Sequence, residues 1–130
     1  MLDDSGTFAG AAAKEIKEEC GLEVAQDQLI NISELAASRA QTHGDEQLAA
    51  GVFPSAGGCD EYIPIFLWQK RVKREELKGW EGKLTGLRDE GEKITLKLVK
   101  LKDLWKEGSR DSKSLSALAL YHGLRTEGII

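Results

Sequence analysis

Phe8-Ala9-Gly10-Ala11-Ala12-Ala13-Lys14-Glu15-Ile16-Lys17-Glu18-Glu19-Cys20-Gly21, followed by Leu22, is the stretch from which the rest of the chain is read. Ala, Lys and Glu are good helix formers and the run has no proline, so it predicts a helix. Ser5 or Thr7 supplies a cap for its start, and Gly21 is the residue type that follows a helix end. At about 100° per residue, Ala9, Ala12, Ala13, Ile16 and Cys20 fall on one apolar stripe. Glu15, Glu18 and Glu19 share another face, because positions three and four apart are neighbours on a helix surface. One side can dock while the other gathers three carboxylates.

Like charges at this spacing cost a helix about a few tenths of a kcal/mol per pair. Two arrangements relieve that cost. A hard divalent cation does so directly, since Mg²⁺ takes oxygen ligands and commonly uses a few carboxylates together with substrate phosphates. Lys14 and Lys17 do so less specifically, as parts of a solvated acidic face. On spacing alone the solvated face is the better account.

The remainder of the chain narrows the class. It has 130 residues, 41% hydrophobic and 31% charged, which suits one small domain with a modest core. A net charge of −4 argues against a general binder of nucleic acid or of anionic membranes. No apolar run approaches the roughly 20 residues of a membrane span, and nothing near Met1 reads as a signal peptide. Cys20 and Cys59 form no C-x-x-C pair, so a reducing compartment, the cytoplasm by default, is expected rather than a disulfide framework or a zinc site. His43 and His122 are isolated in the sequence.

Outside the helix, the segment up to Thr7 reads as a loop. Leu29–Leu35 alternates weakly and predicts a strand, and Ala36–Ala50 a flexible polar loop. Gly51–Glu61 begins extended and becomes a glycine-rich turn with Glu61 at its edge; an ordinary tight turn is the plainer reading, close backbone approach to a ligand the sharper one. Tyr62–Val72 predicts the best strand, with Pro64 marking an edge or bulge. Lys70, Arg71, Lys73 and Arg74 read as a solvated strand end, with a phosphate-facing patch as the lesser alternative. Leu77–Lys93, with four glycines, predicts a long mobile loop, and Ile94–Leu98 a strand. Lys102–Lys106 predicts a helical turn with Trp105 packed inward. Asp111 or Ser112 caps a last helix that buries Leu115, Leu118, Ala119 and His122 and ends at Gly128. Helix, three strands and helix make an α+β fold.

Lys14-Glu15-Ile16-Lys17-Glu18-Glu19-Cys20-Gly21-Leu22 resembles the core of the Nudix box, R-E-U-x-E-E-x-G-U with U aliphatic. Lys14 stands where that pattern has Arg, and Gly6 where it has its upstream Glu. Pro54–Glu61, Gly86–Ile94 and the closing helix are similar to the ADP-ribose and ADP-sugar pyrophosphatase branch. The resemblance implies an α/β/α sandwich around a mixed sheet, with residues 1–130 forming one domain that lacks its first strands. It implies Mg²⁺-dependent hydrolysis (Mn²⁺ as the alternative) of the diphosphate in a nucleoside diphosphate sugar, giving AMP and a sugar phosphate when the nucleoside is ADP. Glu15 and Glu19, with Glu18 as a third, would hold the metal. Glu92, with Glu90 second, would be the base, and Gly58 and Glu61 would lie near the substrate. No nucleic acid or membrane partner is implied; a homodimer is allowed, as is an organelle if a targeting segment lies upstream. The alternative function is a catalytically impaired Nudix-like module that binds a nucleotide or a protein.

Overall fold

The computed structural model describes residues 6–40 and 49–130. Ser5, His43, the first five residues of the N-terminal loop and most of the loop expected over Ala36–Ala50 lie outside them. The chain divides into two compact units: residues up to Ile30 with Trp68–Val99, and Asn31–Leu67 with Lys100–Ile130.

The first unit contains the acidic helix, α1 (Phe8–Glu15). Thr7 caps it, its hydroxyl accepting the Gly10 N–H at 3.0 Å. The expected single α-helix is corrected in its second half: Ile16–Cys20 is wound more widely, as a π-helical turn, before Gly21 turns out at φ +64°. A 3₁₀ turn at Gln26–Gln28 follows. The expected loop over Leu77–Lys93 is instead largely structured. α3 spans Arg74–Trp80, with Glu75 and Glu76 in its first turn and Lys78 in its last, a charge order that suits the helix dipole. The glycines that suggested a loop mark the corners: Gly82 and Gly86 have positive φ and bracket a strand. Lys70 pairs with Glu76 at 3.7 Å, consistent with the solvated reading of the basic run.

Two strands complete this unit. They are β3 (Leu84–Thr85) and β4 (Ile94–Thr95), numbered after two strands that precede them in the chain, β1 (Ile30–Asn31) and β2 (Phe66–Leu67). β3 and β4 are antiparallel, with Leu84 opposite Thr95 and Thr85 opposite Ile94. The Leu96 N–H to Lys83 carbonyl and Gly82 N–H to Leu96 carbonyl bonds, both 2.9 Å, prolong the ladder. Beyond it, the Leu98 N–H donates to the Glu81 carboxylate at 2.8 Å, so the strand expected to reach Leu98 is finished by a side chain.

In the second unit the expected strand at Leu29–Leu35 is corrected to a helix after two residues. α2 spans Ile32–Ala37. Asn31 caps it reciprocally: its Oδ1 accepts the Glu34 N–H at 3.1 Å and its Nδ2 donates to the Glu34 carboxylate at 3.4 Å. Of Tyr62–Val72, only Phe66–Leu67 is strand, pairing with β1, and Ile63 makes an isolated antiparallel bridge with Val52. The reason is where the Ile65 backbone goes. Its carbonyl accepts the Ile32 N–H at 3.0 Å, and its N–H donates to the buried Ser33 hydroxyl at 2.8 Å, so the start of α2 replaces a partner strand. Among the described residues there are two separate two-stranded sheets, and the mixed sheet of the expectation is not assembled from them. No described helix is long and apolar enough to cross a membrane.

α4 (Leu104–Glu107) and α5 (Ser112–Thr126) close the second unit. Trp105 is corrected from inward-packed to exposed: a four-residue helix offers no second turn to cover the indole, which instead has the Lys106 ammonium 5.5 Å from a ring centroid. The buried side of α5 is also corrected. Leu118 and Leu124 are buried, whereas Leu115, Ala119 and His122 are exposed. Ile32 of α2, at 2% exposure, joins them as the apolar core of the described residues.

Two outcomes follow from these elements. Leu124→Ala should lose about 2–4 kcal/mol in urea unfolding and Leu115→Ala less than about 1, reversing the order expected from the sequence stripe. The second concerns the α5 cap. Asp111 accepts the Ser114 hydroxyl at 2.7 Å and the Lys113 and Ser114 N–H groups at 3.1 and 3.3 Å. The Ser114 bond, then the Lys113 bond, hold its carboxyl at about 2 against an ordinary 3.8. A depressed carboxyl stabilises the fold fully above its unfolded value and loses that contribution as pH falls through the folded one. Asp111→Ala should therefore lower Tm at pH 7, and its gap from the parent should close between pH 4 and pH 2.

Candidate functional site

The carboxylate-bearing turn owes its geometry to its winding. In a π turn the N–H reaches five residues back, so residues four apart come closer to one line than in an α-helix. Glu15 and Glu19 are four apart, and their side chains share a hydrogen bond. Such widened turns are frequent at functional sites. Glu15 and Glu19 are exposed, while Glu18 is half-buried.

Facing this turn is the segment from β3 to β4. The Thr85 hydroxyl donates to the Glu19 carbonyl, and the Gly86 N–H donates to the Glu18 carbonyl at 3.1 Å. A 3₁₀ turn at Arg88–Glu90 follows, and Gly91, at φ +92°, ends it. Glu92 then folds back on Leu87: its carboxylate accepts the Leu87 N–H at 2.9 Å and its own N–H donates to the Leu87 carbonyl at 3.1 Å.

The electrostatics show which carboxylates are gathered. The Glu19 carboxyl is raised above its ordinary value, first by desolvation although the residue as a whole is exposed, then by the charges of Glu15 and Glu92, by its hydrogen bond with Glu15, and by the Glu18 charge. The structure therefore brings Glu15, Glu18 and Glu92 within electrostatic reach of Glu19. Glu90 does not figure among the charges acting on Glu19. Gly58 and Glu61 belong to the other unit. There Gly58 sits in the turn after Pro54, its N–H donating to the Ser55 carbonyl at 2.9 Å.

Lys83 and Thr85 also act on this turn, and sequence reasoning missed them because the strand holding Thr85 lies inside the segment expected to be loop. The β-branched Thr85 immediately before a glycine was the available cue. Lys83 Nζ lies 2.7 Å from where a Cβ on Gly21 would stand. Burial and the Glu19 charge raise the neighbouring Cys20 thiol, and the Lys83 charge draws it down by less.

Fitness for a hard divalent cation can be judged from the donors. All are carboxylate oxygens, the ligand type Mg²⁺ takes. Glu15 and Glu19 stand close enough for each to act on the other, Glu15 raising the Glu19 carboxyl by its charge and by a side-chain hydrogen bond. No group of three or more His, Cys, Asp or Glu among the described residues already stands in metal-holding geometry. Glu15 and Glu19, being exposed, can re-orient without disturbing packed neighbours. The donor chemistry fits, with side-chain rotation required for closure.

The chain is 33% identical over 128 residues to a protein named Nudix hydrolase 14, chloroplastic, from Arabidopsis thaliana. The alignment takes in 98% of this chain and 38% of that protein, so the chain spans well under half the length of the relative it matches. This similarity supports the Nudix superfamily. No protein-family model matches the chain, and no solved structure does.

A raised carboxyl binds its proton more tightly folded than unfolded, so its contribution is fully present below the unfolded value and is lost as pH rises through the folded one. Glu19→Gln removes that loss. With a chelator present, the variant should melt about 1–3 °C above the parent at pH 7, the scale of a few tenths of a kcal/mol per like-charged pair, and the difference should vanish near pH 4. Thermal melts across that range check both points.

Proposed function

We propose that this chain is the catalytic part of a Nudix hydrolase that splits the diphosphate of a nucleoside diphosphate sugar, of the ADP-ribose or ADP-glucose type, into AMP and a sugar phosphate. The carrying observation is that Glu92, from a loop far along the sequence, folds over Gly86, whose N–H donates to the Glu18 carbonyl of the acidic turn at 3.1 Å. A lone solvated acidic helix has no reason to gather a fourth carboxylate.

In this reading Glu15 and Glu19, with Glu18 as a third, hold Mg²⁺ or Mn²⁺. The bound cation supplies charge neutralisation of the diphosphate and acidification of a water. Glu92 takes the proton from the attacking water, with Glu90 as the second candidate. In the structure the Glu92 carboxylate is held by the Leu87 N–H, which keeps it oriented. Gly58 and Glu61 are proposed to contact the substrate from the glycine-rich turn, and residues 1–130 to belong to one catalytic domain. The relative's name places that protein in the chloroplast. For this chain the reading asks only for a reducing compartment, in keeping with Cys20 and Cys59, which are both unpaired.

One observation favours the second reading, a nucleotide-binding module with impaired catalysis. Lys14 stands where the box has Arg, and an ammonium lacks the planar fork that can hold two carboxylate oxygens at once.

The deciding experiment incubates the chain with ADP-ribose and Mg²⁺ and follows AMP release. The parent should release AMP, Glu19→Gln should be inactive, and Glu92→Gln should lose about 10²-fold or more in kcat, the scale of a general base. Binding of ADP-ribose by calorimetry with no AMP release would favour the module instead.

A further inference from the structure

We propose that Thr85 and Gly86 form a positioning clamp that locks the loop carrying Glu92 onto the turn carrying Glu18 and Glu19. The inference rests on the hydrolase reading for its purpose, but its geometry stands independently. A helix leaves its last carbonyls without internal partners, and each must be satisfied. Here the accounting is complete over four successive residues: the Ile16 carbonyl takes the Leu22 N–H at 3.4 Å, Lys17 the Gly21 N–H at 2.9 Å, Glu18 the Gly86 N–H at 3.1 Å, and Glu19 the Thr85 hydroxyl. The first two bonds are local, the ordinary closure around a left-handed glycine. The last two come from the end of β3.

On its other side the same dipeptide meets Glu92. Gly86 has φ +85°, and a Cβ added there would lie 3.0 Å from the Glu92 carbonyl oxygen, 3.2 Å from its Cγ and 3.2 Å from its Oε2. Glu92 is thus folded directly over Gly86, and a side chain at that position would push it away. Leu87 then holds Glu92 by both backbone groups. A continuous set of bonds runs from the Glu18 and Glu19 carbonyls through Thr85 and Gly86 to Leu87 and Glu92. Thr85 is 8% exposed, so its hydroxyl bond is shielded from competing water. Thr85 touches no reacting group in this arrangement; it acts through the backbone that bears the carboxylates, and is a positioning residue.

A hydroxyl that merely capped the helix would affect overall stability and nothing at Glu92, and the test is built on that difference. Thr85→Val keeps the shape and removes the donor; Thr85→Ser restores the donor. Gly86→Ala keeps the Thr85 hydroxyl in the chain and crowds Glu92 at a backbone conformation that L residues rarely adopt. Amide hydrogen exchange of the metal-free chain is read at Gly86, Leu87 and Glu92, and Mn²⁺ affinity is read by paramagnetic resonance. Thr85→Val should exchange at least tenfold faster at all three amides and bind Mn²⁺ several-fold more weakly, with Thr85→Ser near the parent in both. Gly86→Ala should speed exchange at Glu92 and weaken Mn²⁺ binding. A Thr85→Val protein that melts lower but keeps the parent's exchange at Leu87 and Glu92 would overturn the clamp. Should the parent bind no Mn²⁺, the hydrolase reading fails, and exchange alone decides whether the clamp exists.

Discussion

Glu15, Glu18 and Glu19 gather like charges at the end of a short helix, and the turn bearing them has its Glu18 and Glu19 carbonyls held from outside. That constraint accounts for much of the first unit. The widened winding over Ile16–Cys20 lines up Glu15 with Glu19 and lets them share a hydrogen bond. It also presents the Glu18 and Glu19 carbonyls to β3, where Thr85 and Gly86 take them. The turn and the loop are therefore one construction. A change in the winding would alter both the spacing of the carboxylates and the seat of Glu92.

Part of this was legible in the sequence. Thr7 as cap, Gly21 as terminator and the grouping of three Glu residues follow from local rules, and local rules held there because few long-range contacts compete with them. Asp111 as the cap of the last helix was legible for the same reason. The widened turn was not, since nothing in Ile16–Cys20 distinguishes π from α winding by propensity, and the partners its last carbonyls take lie far along the chain, at Thr85 and Gly86. Ser33 is the clearer case. Its hydroxyl and the Ile32 N–H occupy the Ile65 backbone, so a stretch with good strand periodicity has little left to pair with. In Leu77–Lys93 the glycines were real corners, but short elements fit between them.

The approach of Glu92 to the acidic turn could not be derived from spacing, because the distance along the chain says nothing about a fold-back at Leu87. What the sequence did carry was the resemblance of Gly86–Ile94 to a loop of one Nudix branch, which named Glu92 ahead of Glu90. Among the charges that raise the Glu19 carboxyl, Glu92 figures and Glu90 does not.

The two units differ in what holds them. Ile32, Leu118 and Leu124, the buried apolar residues among those described, all belong to the second; in the first the burial falls on Gly10 and Thr85, while Leu84 stays 59% exposed. A unit held by backbone bonds over little apolar burial opens locally at small free-energy cost. For a ligand that needs the acidic turn and the Glu92 loop together, only the closed fraction of molecules is competent, and the apparent dissociation constant rises in inverse proportion to that fraction. Ligand affinity and the local stability of this unit are then a single quantity viewed from two sides: whatever tightens the ladder sharpens binding, and whatever binds across the turn and the loop becomes part of the fold.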